Sequence, residues 1–78
     1  MTPAVSVDVL LSTLNAAEYG SLESIAEKMR QVREGLEQLD QPDLAARAEE
    51  AVAALRRSDV AEFKRARAFL QSRIGHLR

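Results

Sequence analysis

The sequence has no cysteine, no tryptophan, one histidine, two prolines and three glycines. Without cysteine there is no disulfide, no thiol nucleophile and no Cys-based zinc or iron–sulfur site. The single histidine, His76, excludes a His-rich metal centre. The scarcity of Gly and Pro argues against a turn-rich β-sandwich or barrel. The three glycines stand apart, so none belongs to a phosphate-cradling loop. Aromatic residues make up 4% of the chain: Tyr19, Phe63 and Phe69. A net charge of −1 does not describe a globally basic nucleic-acid binder. No stretch approaches the ~18 apolar residues of a membrane span. No Lys or Arg precedes the first apolar stretch, and Asp8 interrupts it. No signal peptide is therefore expected, and the expected compartment is the cytoplasm. Arginine far outnumbers lysine and alanine is abundant, which suggests a GC-rich bacterial genome.

What is present points to helices. The 78 residues are 46% apolar, enough for one small domain spanning 1–78. The expected fold class is all-α: a small antiparallel bundle of three long helices plus a shorter N-terminal helix. Gly20, Asp40-Gln41-Pro42 and Ser58-Asp59 punctuate four segments.

The first segment, about 3–18, starts at Thr2 as a cap with Pro3 in the first helical position. Val7, Leu10, Leu11, Leu14 and Ala17 fall at helical spacing. Val5 to Val9 also alternates like a strand, but the chain offers that strand no partner. Gly20 suits the left-handed residue that ends a helix.

The second segment, about 22–39, opens at Ser21. Its residues Leu22, Ile25, Met29, Val32, Leu36 and Leu39 form a heptad seam. On its outer surface Glu27–Arg30, Arg30–Glu34 and Arg33–Glu37 are spaced for ion pairs. Gly35, beside the seam, permits close approach of another helix at the expense of helix propensity.

The third segment, about 42–57, begins with Pro42 and Asp43. Leu44, Ala48, Ala51, Val52 and Leu55 make its inner stripe. The fourth, about 59–77, opens with Asp59-x-x-Glu62, the spacing of a capping box. Its inner face is Val60, Phe63, Ala66, Leu70, Ile74 and Leu77. So short a link between the third and fourth segments implies an antiparallel hairpin. Residues 48–66, with small and large side chains alternating around that turn, resemble a tetratricopeptide-like helix pair. The Pro and Trp positions of that repeat and a second copy are missing, so the resemblance implies no function.

The charge is unevenly distributed. Residues 1–55 carry four basic and ten acidic side chains, whereas residues 56–78 carry seven basic and two acidic ones. A basic last helix can meet phosphate. Its cations, however, spread round the helix, and Arg67 falls within the apolar arc. The favoured reading is that this helix lies against the acidic second helix or the acidic half of a second subunit.

Phe69 is the most informative residue. It points away from the main apolar arc, with Arg65 and Arg73 one turn to either side and His76 one turn further on. An apolar ring among cations suits a contact with an aromatic or acidic partner. The competing reading has the first segment folded over the ring. Phe69, Arg65, Arg73 and His76 are thus the candidate partner contact. The seam Leu22, Ile25, Met29, Val32, Leu36 and Leu39 is the candidate self-association surface, with bundle core as its default role. The carboxylates sit mainly on predicted outer faces, without the Glu-x-x-His pairs of a metal-binding bundle. No catalytic residue, metal ligand or cofactor is expected.

A core this rich in alanine is thin, and self-association would relieve that, so a homodimer is expected. The expected function is a small non-enzymatic helical protein–protein interaction module, an adaptor or regulatory subunit. The alternative is a nucleic-acid-associated regulator that uses the basic C-terminal helix.

Overall fold

In the computed structural model, which describes residues 6–17 and 20–77, local hydrogen bonding sets the ends of four helices. These are α1 (Val7–Ala16), α2 (Leu22–Gln38), α3 (Pro42–Arg56) and α4 (Val60–Gly75). Among the described residues there is no strand. The all-α bundle expected from the sequence is present.

The start of α1 differs from expectation. Ser6 is extended, with φ −127° and ψ 161°, and its hydroxyl accepts from the Val9 N–H at 3.2 Å. A serine placed to cap the apolar stretch thus starts the helix at Val7. The cap expected at Thr2–Pro3 lies outside the described residues. Ser21 caps α2 in the same way, accepting from the Ser24 N–H at 3.1 Å. Gly20 has φ 104°, a value that favours glycine. It leads into the α2 cap and does not directly follow the last residue of α1, as the sequence suggested.

The two remaining turns are built alike. The Asp40 N–H donates to Glu37 O at 3.1 Å and the Gln41 N–H to Leu36 O at 2.8 Å. After α3, the Ser58 N–H donates to Leu55 O at 3.0 Å and the Asp59 N–H to Ala54 O at 2.8 Å. Both are Schellman motifs. Their left-handed positions are held by Asp40 (φ 59°) and Ser58 (φ 63°), neither of them glycine. Asp59 also caps α4, accepting from the Glu62 N–H at 3.2 Å. Only half of the expected capping box forms, because the Asp59 N–H is committed to Ala54.

Short links between amphipathic helices give an up-down-up-down order. Helix α1 packs on α2 and α4, and α3 packs on α2 and α4. Among the described residues the backbones of α1 and α3 do not approach each other closely, nor do those of α2 and α4, so each pair occupies opposite corners. The basic fourth helix therefore does not lie against the second helix, which corrects the first of the two placements expected for it. The cross-helix ion pair of α2 goes instead to α3, where Arg33 sits 3.5 Å from Glu49.

The core is filled by Leu14, Met29, Val32, Leu36, Leu70 and Ile74, all fully buried. Burial of each such side chain contributes roughly 1.5–3 kcal/mol. Helix α3 presents Ala45, Ala48, Ala51 and Ala54 to the core, and small side chains there let its neighbours pack close. Gly35 is buried beside the seam. No polar or charged residue is buried among the described residues.

Two residues assigned inward from the sequence stand outside. Leu22 is 59% exposed and Val60 is 53% exposed. Helix α1 is the cause. Near its C-terminus, Leu14 O accepts from Arg67 Nε at 3.1 Å and Asn15 Oδ1 from Gln71 Nε2 at 2.6 Å. Its end thus reaches only the middle of α4. The end of the bundle beyond that point, with the first turns of α2 and α4, has no cover from α1.

Candidate functional site

The α3–α4 hairpin sets two flanks side by side. Ala48, Ala51 and Ala54 on α3 and Phe63, Ala66, Leu70 and Ile74 on α4 turn inward. Residues one step off these stripes line the seam between the helices. Phe69 is one of them. Its half-buried ring faces α3, with the Arg47 guanidinium 4.5 Å and the Arg73 guanidinium 5.0 Å from its centroid. A cation over an aromatic face contributes about 0.5–1 kcal/mol at an exposed site and more when desolvated. Arg47 also faces Glu50 at 3.6 Å. Arg73 makes no ion pair among the described residues, and its guanidinium lies over the ring.

Around the ring lies a groove of about 490 Å³ at the N-terminal end of α3 and the C-terminal end of α4. Leu44 and Leu77 give it apolar walls, and Arg47, Arg73, His76 and Asp43 give it polar ones. His76 is the exposed residue that ends α4. An apolar floor among cations can hold an apolar group next to carboxylates.

Of the four candidate contact residues, the structure brings Phe69, Arg73 and His76 to one groove. Arg65 is not among its lining. It turns to Glu62 at 3.4 Å, and its side chain is 75% exposed. Arg47 is the member that sequence reasoning missed. Its only signal was its position next to the Leu44–Ala48 stripe, and pairing with Phe69 depends on the hairpin register. The described part of the first segment, residues 6–17, does not fold over the ring. Helix α1 lies on the other flank of α4, held by Arg67 and Gln71.

The candidate self-association seam is divided. Met29, Val32 and Leu36 are fully buried inside the bundle, Ile25 and Leu39 are half-buried, and Leu22 is exposed. A second copy cannot use the buried members without opening the bundle, so most of the seam serves as core. The cations of α4 are divided too. Arg67 turns to α1, Arg73 to the Phe69 ring and Arg65 to Glu62. Among the described residues no group of three His, Asp or Glu is placed to hold a metal ion. No described helix is long and apolar enough to cross a membrane.

Comparison of the chain with protein-family models, curated proteins and solved structures gives no match.

Proposed function

We propose that the protein is a small, non-enzymatic helical interaction module that self-associates and binds a second protein through the α3/α4 face around Phe69. The observation that carries this reading is the Phe69 ring itself, kept half-open between two arginines in a groove walled by Leu44 and Leu77. Aromatic residues and arginine are the types most enriched at protein interfaces. Phe69 and Arg73 come from α4, and Leu44 and Arg47 from α3, so the hairpin fixes their spacing before binding. Such preorganisation lowers the ordering cost of association. A partner segment with an apolar side chain flanked by carboxylates fits this chemistry. The apolar group packs on the ring and the leucines, and the carboxylates meet Arg47 and Arg73.

A nucleic-acid role draws less support. The α4 cations point in different directions, and two of them already engage α1 and Phe69.

The test is co-purification of the tagged chain from its native cells, wild type against Phe69→Ala, with circular dichroism to verify the fold. The expected result is a protein partner that the variant loses while keeping its helicity. A partner retained by Phe69→Ala contradicts the assignment. A salt-sensitive wild-type peak with strong 260 nm absorbance supports the nucleic-acid role instead.

A further inference from the structure

Three large apolar side chains stand exposed among the described residues: Val9, Leu22 and Val60. Leu22 and Val60 share the end of the bundle that α1 does not reach. Beside Leu22 a groove of about 440 Å³ opens between the first half of α2 and the last half of α3. Ala26, Val52 and Leu55 give it an apolar lining.

The rim of this groove carries both signs of charge. Glu23, Glu27, Arg30 and Arg33 come from α2, and Arg56 comes from α3. Glu23 and Arg56 make no ion pair among the described residues. A uniformly acidic or basic ligand meets like charge along part of this rim, and like-charge juxtaposition is strongly disfavoured. The complementary occupant carries both signs in matching order.

We propose that this groove is the self-association surface and that its occupant is a second copy of the chain, related by a two-fold axis along the bundle. The Arg33–Glu49 ion pair fixes the register of α2 against α3. In that antiparallel register Ala26 lies level with Arg56, and Arg30 lies level with Val52. A two-fold axis parallel to the helices lays α2 of one copy over α3 of the other. Glu23 and Glu27 then approach Arg56 of the second copy, and Arg30 approaches Glu49 of the second copy. Symmetry makes each contact twice. Leu22 is covered in the process, and Ala26 lets the two backbones come close. The proposal deepens the self-association half of the reading above. It leaves the Phe69 groove open, on the other flank and at the other end of α3.

The test is light scattering coupled to size-exclusion chromatography on the full untagged chain, from low micromolar to near-millimolar concentration. The wild type is expected to shift from the 8.6 kDa chain mass toward twice that value. Leu22→Arg and Arg56→Glu each weaken the dimer by about tenfold or more while keeping helicity, and Glu23→Arg added to Arg56→Glu restores it. Phe69→Ala dimerises as the wild type does, so loss of the partner and loss of the dimer are read separately. A wild type that stays monomeric overturns the proposal. So do dimers indifferent to Leu22→Arg and Arg56→Glu, or a dimer abolished by Phe69→Ala.

Discussion

Asp40 and Ser58 hold the two hairpin turns in a conformation better suited to glycine, at φ 59° and 63°. A left-handed L-residue costs roughly 1–2 kcal/mol, less for Asp, whose side chain tolerates this region. Glycine removes that strain but gives back part of the gain through the entropy of the unfolded chain. Ser58→Gly is therefore expected to stabilise the fold by up to about 1 kcal/mol, and Asp40→Gly by less. Thermal unfolding followed by circular dichroism checks the order of the two. A lower midpoint for Ser58→Gly would mean that the serine side chain contributes more to the turn than its backbone strain costs. These positions were illegible as left-handed in the sequence, since turns of this kind are normally recognised by glycine. Of the capping serines, the sequence reading identifies Ser21 but takes Thr2–Pro3 as the start of the first helix, and Ser6 is found only in the structure.

Among the elements, α2 and α3 were the most legible. The sequence reading of 22–39 and 42–57 differs by one residue at one end from the observed Leu22–Gln38 and Pro42–Arg56. Their caps and stripes are local features, which periodicity captures. Helix α1 is shorter than read, and its placement depends on two polar contacts that no periodicity announces. Arg67, which looked misplaced within an apolar arc, extends to the carbonyl of Leu14, and Gln71 bonds Asn15. The contacts join helices separated by most of the chain. Replacing both, in Arg67→Ala/Gln71→Ala, is expected to raise amide exchange in α1 by about tenfold, with α2 and α3 changing less. Equal protection of α1 in the variant and the wild type would show that Leu10 and Leu14 hold the helix alone.

At the scale of the whole molecule, the cyclic order of the four helices decides which charges and side chains meet. It places α2 and α4 on opposite corners, so the acidic and basic parts of the sequence do not neutralise each other across that pair. Order around a bundle is set by loop length and by how four stripes fit together, and one helix's periodicity is silent about it. The same reason hid Arg47 from the Phe69 site and hid the uncovered end that leaves Leu22 and Val60 in water. The ring itself was legible, because an aromatic outside an apolar arc breaks the helical pattern. The proposal that this ring anchors a partner is tested most directly by photocrosslinking in native cells, with a photoreactive phenylalanine analogue at position 69 and, as a control, at the exposed Ala53 on α3. The expected result is a crosslink to one other protein from position 69, and from position 53, which shares a face with Glu49 and Arg56, none except to a second copy of the chain. Equal labelling from both positions, or crosslinks from position 69 only to a second copy of the chain, would contradict it.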